Sequence, residues 1–144
     1  MLSGDIKALN QTMNCLTLAM FSSFDTAGGS PGSEPERFYH GFVLGLLVKL
    51  QGRYRVTSNR ESGYGRYDVM LEPLETAEDP AVIMEFKSLD ADEENDLTDT
   101  VSAALKQIEE RRYDAALVAG GIPEERIRKY GFAFKGKQVL IDMA

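Results

Sequence analysis

The sequence predicts an α/β fold with a mixed sheet, and three observations carry that prediction. Apolar residues recur at helical spacing near the N-terminus, at Ile6, Leu9, Met13, Leu16 and Met20. The run Ala81-Val82-Ile83-Met84-Glu85-Phe86-Lys87 has an unbroken apolar start that suits a buried central strand. The elements follow in the order helix, helix, three strands, helix, two strands, which packs helices on a mixed sheet. At 144 residues the chain suits a single domain able to bury a core without disulfides or a structural metal.

Residues 4–21 form the first expected helix, with Ser3 or Asp5 as its cap. Residues 22–33 are a glycine-containing loop with Asp25 and Pro31. A Ser33-x-x-Glu36 capping box opens the second helix, with Pro35 tolerated in its first turn. Its apolar stripe is Phe38, Phe42, Leu46 and Leu50, and Gly41 and Gly45 predict close packing across a sheet. Strands are expected at 54–58, 66–72 and 81–87, the first two joined by the turn Asn59-Arg60-Glu61-Ser62-Gly63. An acidic connection spans 73–80, and a strongly acidic, solvated loop spans 89–96. A helix at 97–112 rests on Val101, Ala104, Leu105 and Ile108, capped by Asp96, Thr98 or Asp99. Residues 113–121 continue it until Gly120-Gly121. Two strands around Lys135-Gly136-Lys137 close the chain.

Charge and cysteine content exclude several functions. A net charge of −7 argues against a protein that coats nucleic acid through Lys and Arg, while leaving room for an enzyme with a local basic groove. Cys15 stands alone, so neither a disulfide framework nor a cysteine zinc site is available, and a reducing cytoplasm fits. The apolar stretch 42–50 is too short to span a bilayer, and no secretion-signal pattern is present.

The chemistry concentrates on two strands. Side chains alternate along a strand, so Glu85 and Lys87 emerge on one face with Ile83, and Val82, Met84 and Phe86 take the other. If the second and third strands are neighbours, Asp68 can meet Glu85 across them. Two carboxylates that close repel unless a cation joins them, and oxygen ligands favour Mg²⁺ or Mn²⁺. Such a cation activates water and polarises a phosphoryl oxygen, with Lys87 orienting the water or stabilising developing charge. The rival reading is solvated charge at a strand edge; the apolar residues before Glu85 argue for burial instead.

The segments Glu36 to Leu47, Ser58 to Asp68, Ile83-Met84-Glu85-Phe86-Lys87, Ala104-Leu105-Lys106-Gln107-Ile108 with Tyr113, and Gly131-Phe132-Ala133-Phe134 with Lys137 together resemble the PD-(D/E)XK nuclease superfamily. More narrowly, they are similar to the nuclease-like domain found C-terminal to an AAA-type ATPase-like region in many bacterial proteins. The resemblance runs over residues 1–141. It implies a restriction-endonuclease-like core, a central mixed sheet of about five strands flanked by helices, with an extra N-terminal helix. On that basis residues 1–33 form the N-terminal helix and loop of one domain, and 34–144 its nuclease-like core. It further implies Asp68 and Glu85 as ligands of Mg²⁺ or Mn²⁺, Lys87 as the catalytic lysine and Glu36 as an accessory ligand. Gln107 and Tyr113 resemble a supporting helical Gln and Tyr, although five residues separate them where three are usual.

Each assignment has a local rival. Glu36 is also the capping-box residue. His40, one turn on, is either a phosphate contact or a hydrogen-bonded structural histidine. Arg66 binds phosphate or pairs with an acid such as Glu72. Two functions follow from different classes: a metal-dependent nuclease acting on DNA, and a non-catalytic nuclease-fold module. The module would bind nucleic acid or a protein partner beside an ATPase, in cis or in trans. The intact Asp, Glu and Lys favour the first; the acidity after Lys87 favours the second.

Overall fold

The computed structural model describes residues 2–21, 34–75, 79–90, 94 and 96–144. Helix α1 (Ile6–Met20) precedes α2 (Glu34–Leu47), with a short 3₁₀ turn at Val48–Leu50. Strands β1 (Tyr54–Ser62), β2 (Gly65–Pro73) and β3 (Ala81–Ser88) follow. Helices α3 (Leu97–Arg111) and α4 (Ala115–Ala119) lead to β4 (Ile127–Lys135) and β5 (Gln138–Met143). The five strands lie in chain order in one sheet. Pairing is antiparallel except between β3 and β4, which are parallel and joined through the helices α3 and α4. The sheet is therefore mixed, and helices flank it as expected.

Burial explains the layering. β3 is central and its first six residues are all buried. Val82, Met84 and Phe86 enter one core with Tyr39, Val43 and Leu47 of α2 and Met13 of α1. Ala81 and Ile83 enter the other with Ile108, Tyr113 and Leu117. The face assignment along β3 is thus as its alternation predicts.

The N-terminal helix does more than add a layer. Asp5 caps it, accepting from the Ala8 amide at 2.9 Å. Asn10 and Asn14, one turn apart, then clasp the free edge of β5. The Asn10 carboxamide accepts from the Ile141 amide at 2.8 Å and donates to its carbonyl at 2.7 Å. Asn14 does the same at Val139, at 3.0 and 2.6 Å. Thr17 donates to the Lys137 carbonyl at 2.7 Å. These side chains imitate a neighbouring strand and close an edge that would otherwise invite another chain.

Several local expectations need correction. The second helix is rotated from its expected phase: Tyr39, Val43 and Leu47 are buried, whereas Phe38 and Phe42 are half-buried and Leu46 is exposed. Gly41 and Gly45 are exposed and a Cβ at either would meet nothing within 4 Å, so they mediate no close packing. β1 runs on through the expected turn to Ser62, and the hairpin turns at Gly63-Tyr64 instead. Asn59 keeps a left-handed φ of +52° inside the strand. The helix after residue 112 is not continuous, because Arg112 adopts φ +51°. The Ser33 half of the capping box, the 22–33 loop and residues 91–93 and 95 of the acidic loop lie outside the described residues. Of that loop, Glu94 accepts from the Asp90 amide at 3.1 Å and Thr100 Oγ1 at 2.5 Å, and Asp96 caps α3. These two acids therefore serve the structure and are not simply solvated.

Candidate active site

β2 and β3 are neighbours, and their register continues from Val69–Met84 towards Asp68 opposite Glu85. The ladder stops one step short, at Val69–Met84, and the pairing of β1 with β2 also omits Asn59 and Asp68. Asn59 is the cause on the β1 side, since its left-handed backbone cannot continue a pleat; asparagine tolerates that conformation better than most residues. The Asp68 side chain fills the opening. Its Oδ2 accepts the Phe86 amide at 2.8 Å, replacing the missing ladder bond.

Three carboxylates share a pattern around this opening. Asp68 is anchored through Oδ2, and Glu36 of α2 is anchored through Oε1, which accepts the Ser88 amide at 2.9 Å. Glu85 is anchored through Oε1, which accepts a hydrogen bond from Gln107 Nε2 of α3. The second oxygen of Glu85 is buried and has no hydrogen-bond partner. An orphaned carboxylate oxygen in a buried site is costly unless something else pairs with it.

Electrostatics tie the three to one another and to Lys87. Burial, then the charge of Asp68, raises the Glu85 pKa to about 8, against opposition from Lys87. The Asp68 amide also stands near enough to lower it, without forming a well-directed hydrogen bond to the orphaned oxygen. Burial raises Asp68 as well, opposed by the Phe86 amide, His40 and Lys87. It raises Glu36, opposed by the Ser88 amide and Lys87. Lys87 is half-buried on the same strand face as Glu85 and, among the described residues, is the cation that acts on all three acids.

The helical support is also assembled. Gln107 Nε2 donates to the Tyr113 hydroxyl at 3.0 Å as well as to Glu85. The five-residue spacing is accommodated because α3 ends in a left-handed Arg112. The Tyr113 amide returns to the Ile108 carbonyl at 3.2 Å and the Arg112 amide to that of Glu109 at 3.1 Å. That paired geometry closes a helix and turns the chain back over its last turn. Burial raises the Tyr113 pKa, so the hydroxyl keeps its proton. Beside Glu85, β4 carries Gly131, and a Cβ there would lie 2.8 Å from the Val101 carbonyl. The bare glycine lets α3 sit close enough for Gln107 to reach the sheet.

Other expected residues fall around the same opening or away from it. A cavity of about 170 Å³ is lined by Glu36, Arg37, His40, Asn59, Asp68 and Phe86. His40 Nε2 lies 3.0 Å from Ser58 Oγ, and its ring is 5.6 Å from that of Phe86. Arg66 is exposed and does not pair with Glu72, which takes Arg55 at 2.9 Å. Arg37, Ser58 and Asn59 join the site without having been expected there. Asn59 alone carries a signal, as a turn-type residue inside an otherwise strand-like run.

Among the described residues no group of three or more His, Cys, Asp or Glu side chains is placed to hold a metal ion. A hard cation such as Mg²⁺ takes one or two carboxylates and fills the remaining positions with water and phosphate. Asp68 and Glu85 fit this donor chemistry, and the orphaned Glu85 oxygen is the atom that most needs such a partner. No helix among the described residues is long and apolar enough to cross a membrane.

No curated protein and no solved structure matches the chain. A family model of the PD-(D/E)XK nuclease superfamily matches residues 34–143, the stretch from α2 to β5 that carries all the residues above. The chain belongs to the PD-(D/E)XK nuclease superfamily.

Proposed function

We propose that this protein hydrolyses phosphodiester bonds in DNA with the help of Mg²⁺ or Mn²⁺. One observation carries the reading. Each of three coupled carboxylates is tied to the protein through one oxygen, and the second oxygen of the most buried, Glu85, is left without a partner. Asp68 and Glu85 would hold the cation, with Glu36 as an accessory ligand. When bound, such an ion supplies Lewis acidity and a lowered water pKa. The chain's own residues do the rest. Gln107, held by the Tyr113 hydroxyl, fixes the Glu85 carboxylate so that its free oxygen keeps one direction. The Lys87 ammonium, on the face shared with Glu85, orients the attacking water and offsets the charge that grows on the phosphate. His40, Arg66 and Tyr113 are candidates for substrate contacts. The reading extends to a cytoplasmic protein that works as one domain beside an AAA-type ATPase-like region, in cis or in trans.

The test is cleavage of single- and double-stranded DNA with Mg²⁺ or Mn²⁺ against chelator. Cutting should need the metal and vanish in Lys87→Ala, whose circular dichroism and melting stay those of the parent. Calorimetry should show Mn²⁺ binding that Asp68→Ala removes. Equal cleavage by parent and Lys87→Ala rejects the lysine's role. Absence of both metal binding and cleavage in the folded protein rejects the nuclease and leaves the non-catalytic module.

A further inference from the structure

Cations stand at both ends of the β1–β2 hairpin. At its far end Arg55 is paired with Glu72 at 2.9 Å and Arg53 with Asp79. Lys129 is held by Asp114 at 2.8 Å and Glu109 at 2.9 Å. Towards the hairpin tip the arrangement changes. Among the described residues Arg60 and Arg112 have no carboxylate partner, and Arg111 donates instead to the Tyr64 carbonyl at 3.3 Å. Arg60 stands two residues before Ser62 and so shares its strand face, towards Tyr113. In a protein of net charge −7, a corner where arginines gather without acid partners is the place for an anionic ligand.

The tip itself is rigid. The Tyr64 amide donates to the Arg111 carbonyl at 2.7 Å, and Ser62 Oγ donates to the Tyr113 carbonyl at 2.7 Å. Gly63 has φ +60°, and a Cβ there would stand 2.2 Å from the carbonyl oxygens of Arg111 and Arg112. Yet Tyr64, whose backbone this tight junction holds, is 73% exposed. Beside it lies an open cavity of about 430 Å³, lined by Gly63, Tyr64, Arg112, Ala115, Val118 and Ala119. The size falls in the range of small-molecule clefts, roughly 300–1,000 Å³. An exposed aromatic ring on an anchored backbone, beside an unpaired guanidinium and an apolar wall, is suited to stack a nucleobase and hold its phosphate.

We infer that this corner binds an unpaired nucleotide of single-stranded DNA, with Tyr64 stacking on the base and Arg112 on the adjoining phosphate. The inference rests on the nuclease reading for the identity of the strand. The corner adjoins the candidate active site: a Cβ on Gly65 would lie 3.1 Å from the Tyr113 ring, whose hydroxyl meets Gln107. Duplex DNA fits less well. A duplex groove needs many phosphate contacts, and the acidic remainder of the surface opposes them.

The experiment is fluorescence anisotropy with a short labelled oligo(dT), and with a duplex, in chelator so that nothing is cut. The parent should bind the single strand more tightly than the duplex. Tyr64→Ala should weaken oligo(dT) binding roughly ten-fold while Tyr64→Phe retains it, because stacking needs the ring and not the hydroxyl. Arg112→Gln should lower the slope of log affinity against log salt by about 0.7, the value for one phosphate on a single strand. Undetectable oligo(dT) binding, preference for the duplex, or Tyr64→Ala within two-fold of the parent overturns the inference. Cleavage that survives alongside Tyr64-insensitive binding sinks this surface alone. Tyr64-dependent binding without metal-dependent cleavage sinks the nuclease reading and leaves the surface standing.

Discussion

Replacing Glu85 by glutamine isolates what burial does to the site. Glu85 is 4% exposed, and its pKa rises from 4.5 to about 8. Between those values the folded protein holds a proton that the unfolded chain has lost. The native state therefore binds more protons, and stability falls as pH rises through that window and levels off above about 8. The window is 8 minus 4.5, or 3.5 units. At about 1.4 kcal/mol per unit this sets a ceiling of roughly 5 kcal/mol. Water penetration and relaxation at a buried acid bring the expected loss to about 2–3 kcal/mol. Glutamine keeps a carbonyl for Gln107 and has no proton to lose. Asp68 and Glu36 are also raised by burial, so some of the slope stays in the variant. Urea denaturation in chelator, from about pH 5 to about pH 8.5, measures the difference. Glu85→Gln should show the shallower dependence and overtake the parent in the upper half of the range. Parallel curves would refute the claim that Glu85 is held neutral by the fold. A bound cation reverses the preference, because it favours the carboxylate. Mn²⁺ binding near pH 7 should then release close to one proton per ion, read by calorimetry in buffers of different ionisation heat.

Three further outcomes follow from geometry. Gly131→Ala places a Cβ against the Val101 carbonyl and should lift α3 from the sheet, at about 1–3 kcal/mol in urea, with cleavage falling further as Gln107 loses Glu85; an unchanged midpoint would show that the helix yields freely. Gly63→Ala meets the Arg111 and Arg112 carbonyls and an unfavourable backbone, and should cost about 2 kcal/mol or more on the same assay. Converting both Asn10 and Asn14 to Leu removes the clasp on β5 and should turn a stable preparation into one that self-associates through that edge, seen by light scattering.

How much of this is legible in the sequence depends on whether a feature is local. β3 is legible because a strand buried on both faces must be apolar throughout, which makes its single Glu conspicuous. Asp5 and Asp96 are legible as caps because capping is settled within three residues. The phase of α2 is not. Phe38 and Tyr39, Phe42 and Val43, Leu46 and Leu47 offer two adjacent apolar stripes, and nothing in the helix chooses between them. The choice is made elsewhere: the Tyr39 ring stacks on Phe134 at 3.8 Å and its hydroxyl donates to the Gly136 carbonyl, a pairing that Phe38 cannot supply. The Asn10 and Asn14 clasp is hidden for the same reason, since its partners lie at the other end of the chain.

The candidate site shows the same division in sharper form. Glu85 and Lys87 follow from alternation on one strand, but the opening at Asp68 depends on a backbone flip at Asn59 on the next. Asn59 reads as a turn residue, and the physical reason for that reading holds. The position does demand a left-handed conformation, and the chain uses it to spread β1 from β2 instead of reversing direction. The reversal falls to Gly63, because only a residue without a side chain fits beneath the carbonyls at the end of α3. Gln107 and Tyr113 complete the argument. Counted along a continuous helix, six positions apart, they would point in different directions. Arg112 ends the helix between them, and the returning chain sets the Tyr113 hydroxyl 3.0 Å from Gln107. The spacing is thus a property of where the helix stops. A sequence pattern that assumes an unbroken helix therefore misjudges the Gln107–Tyr113 pair of this chain.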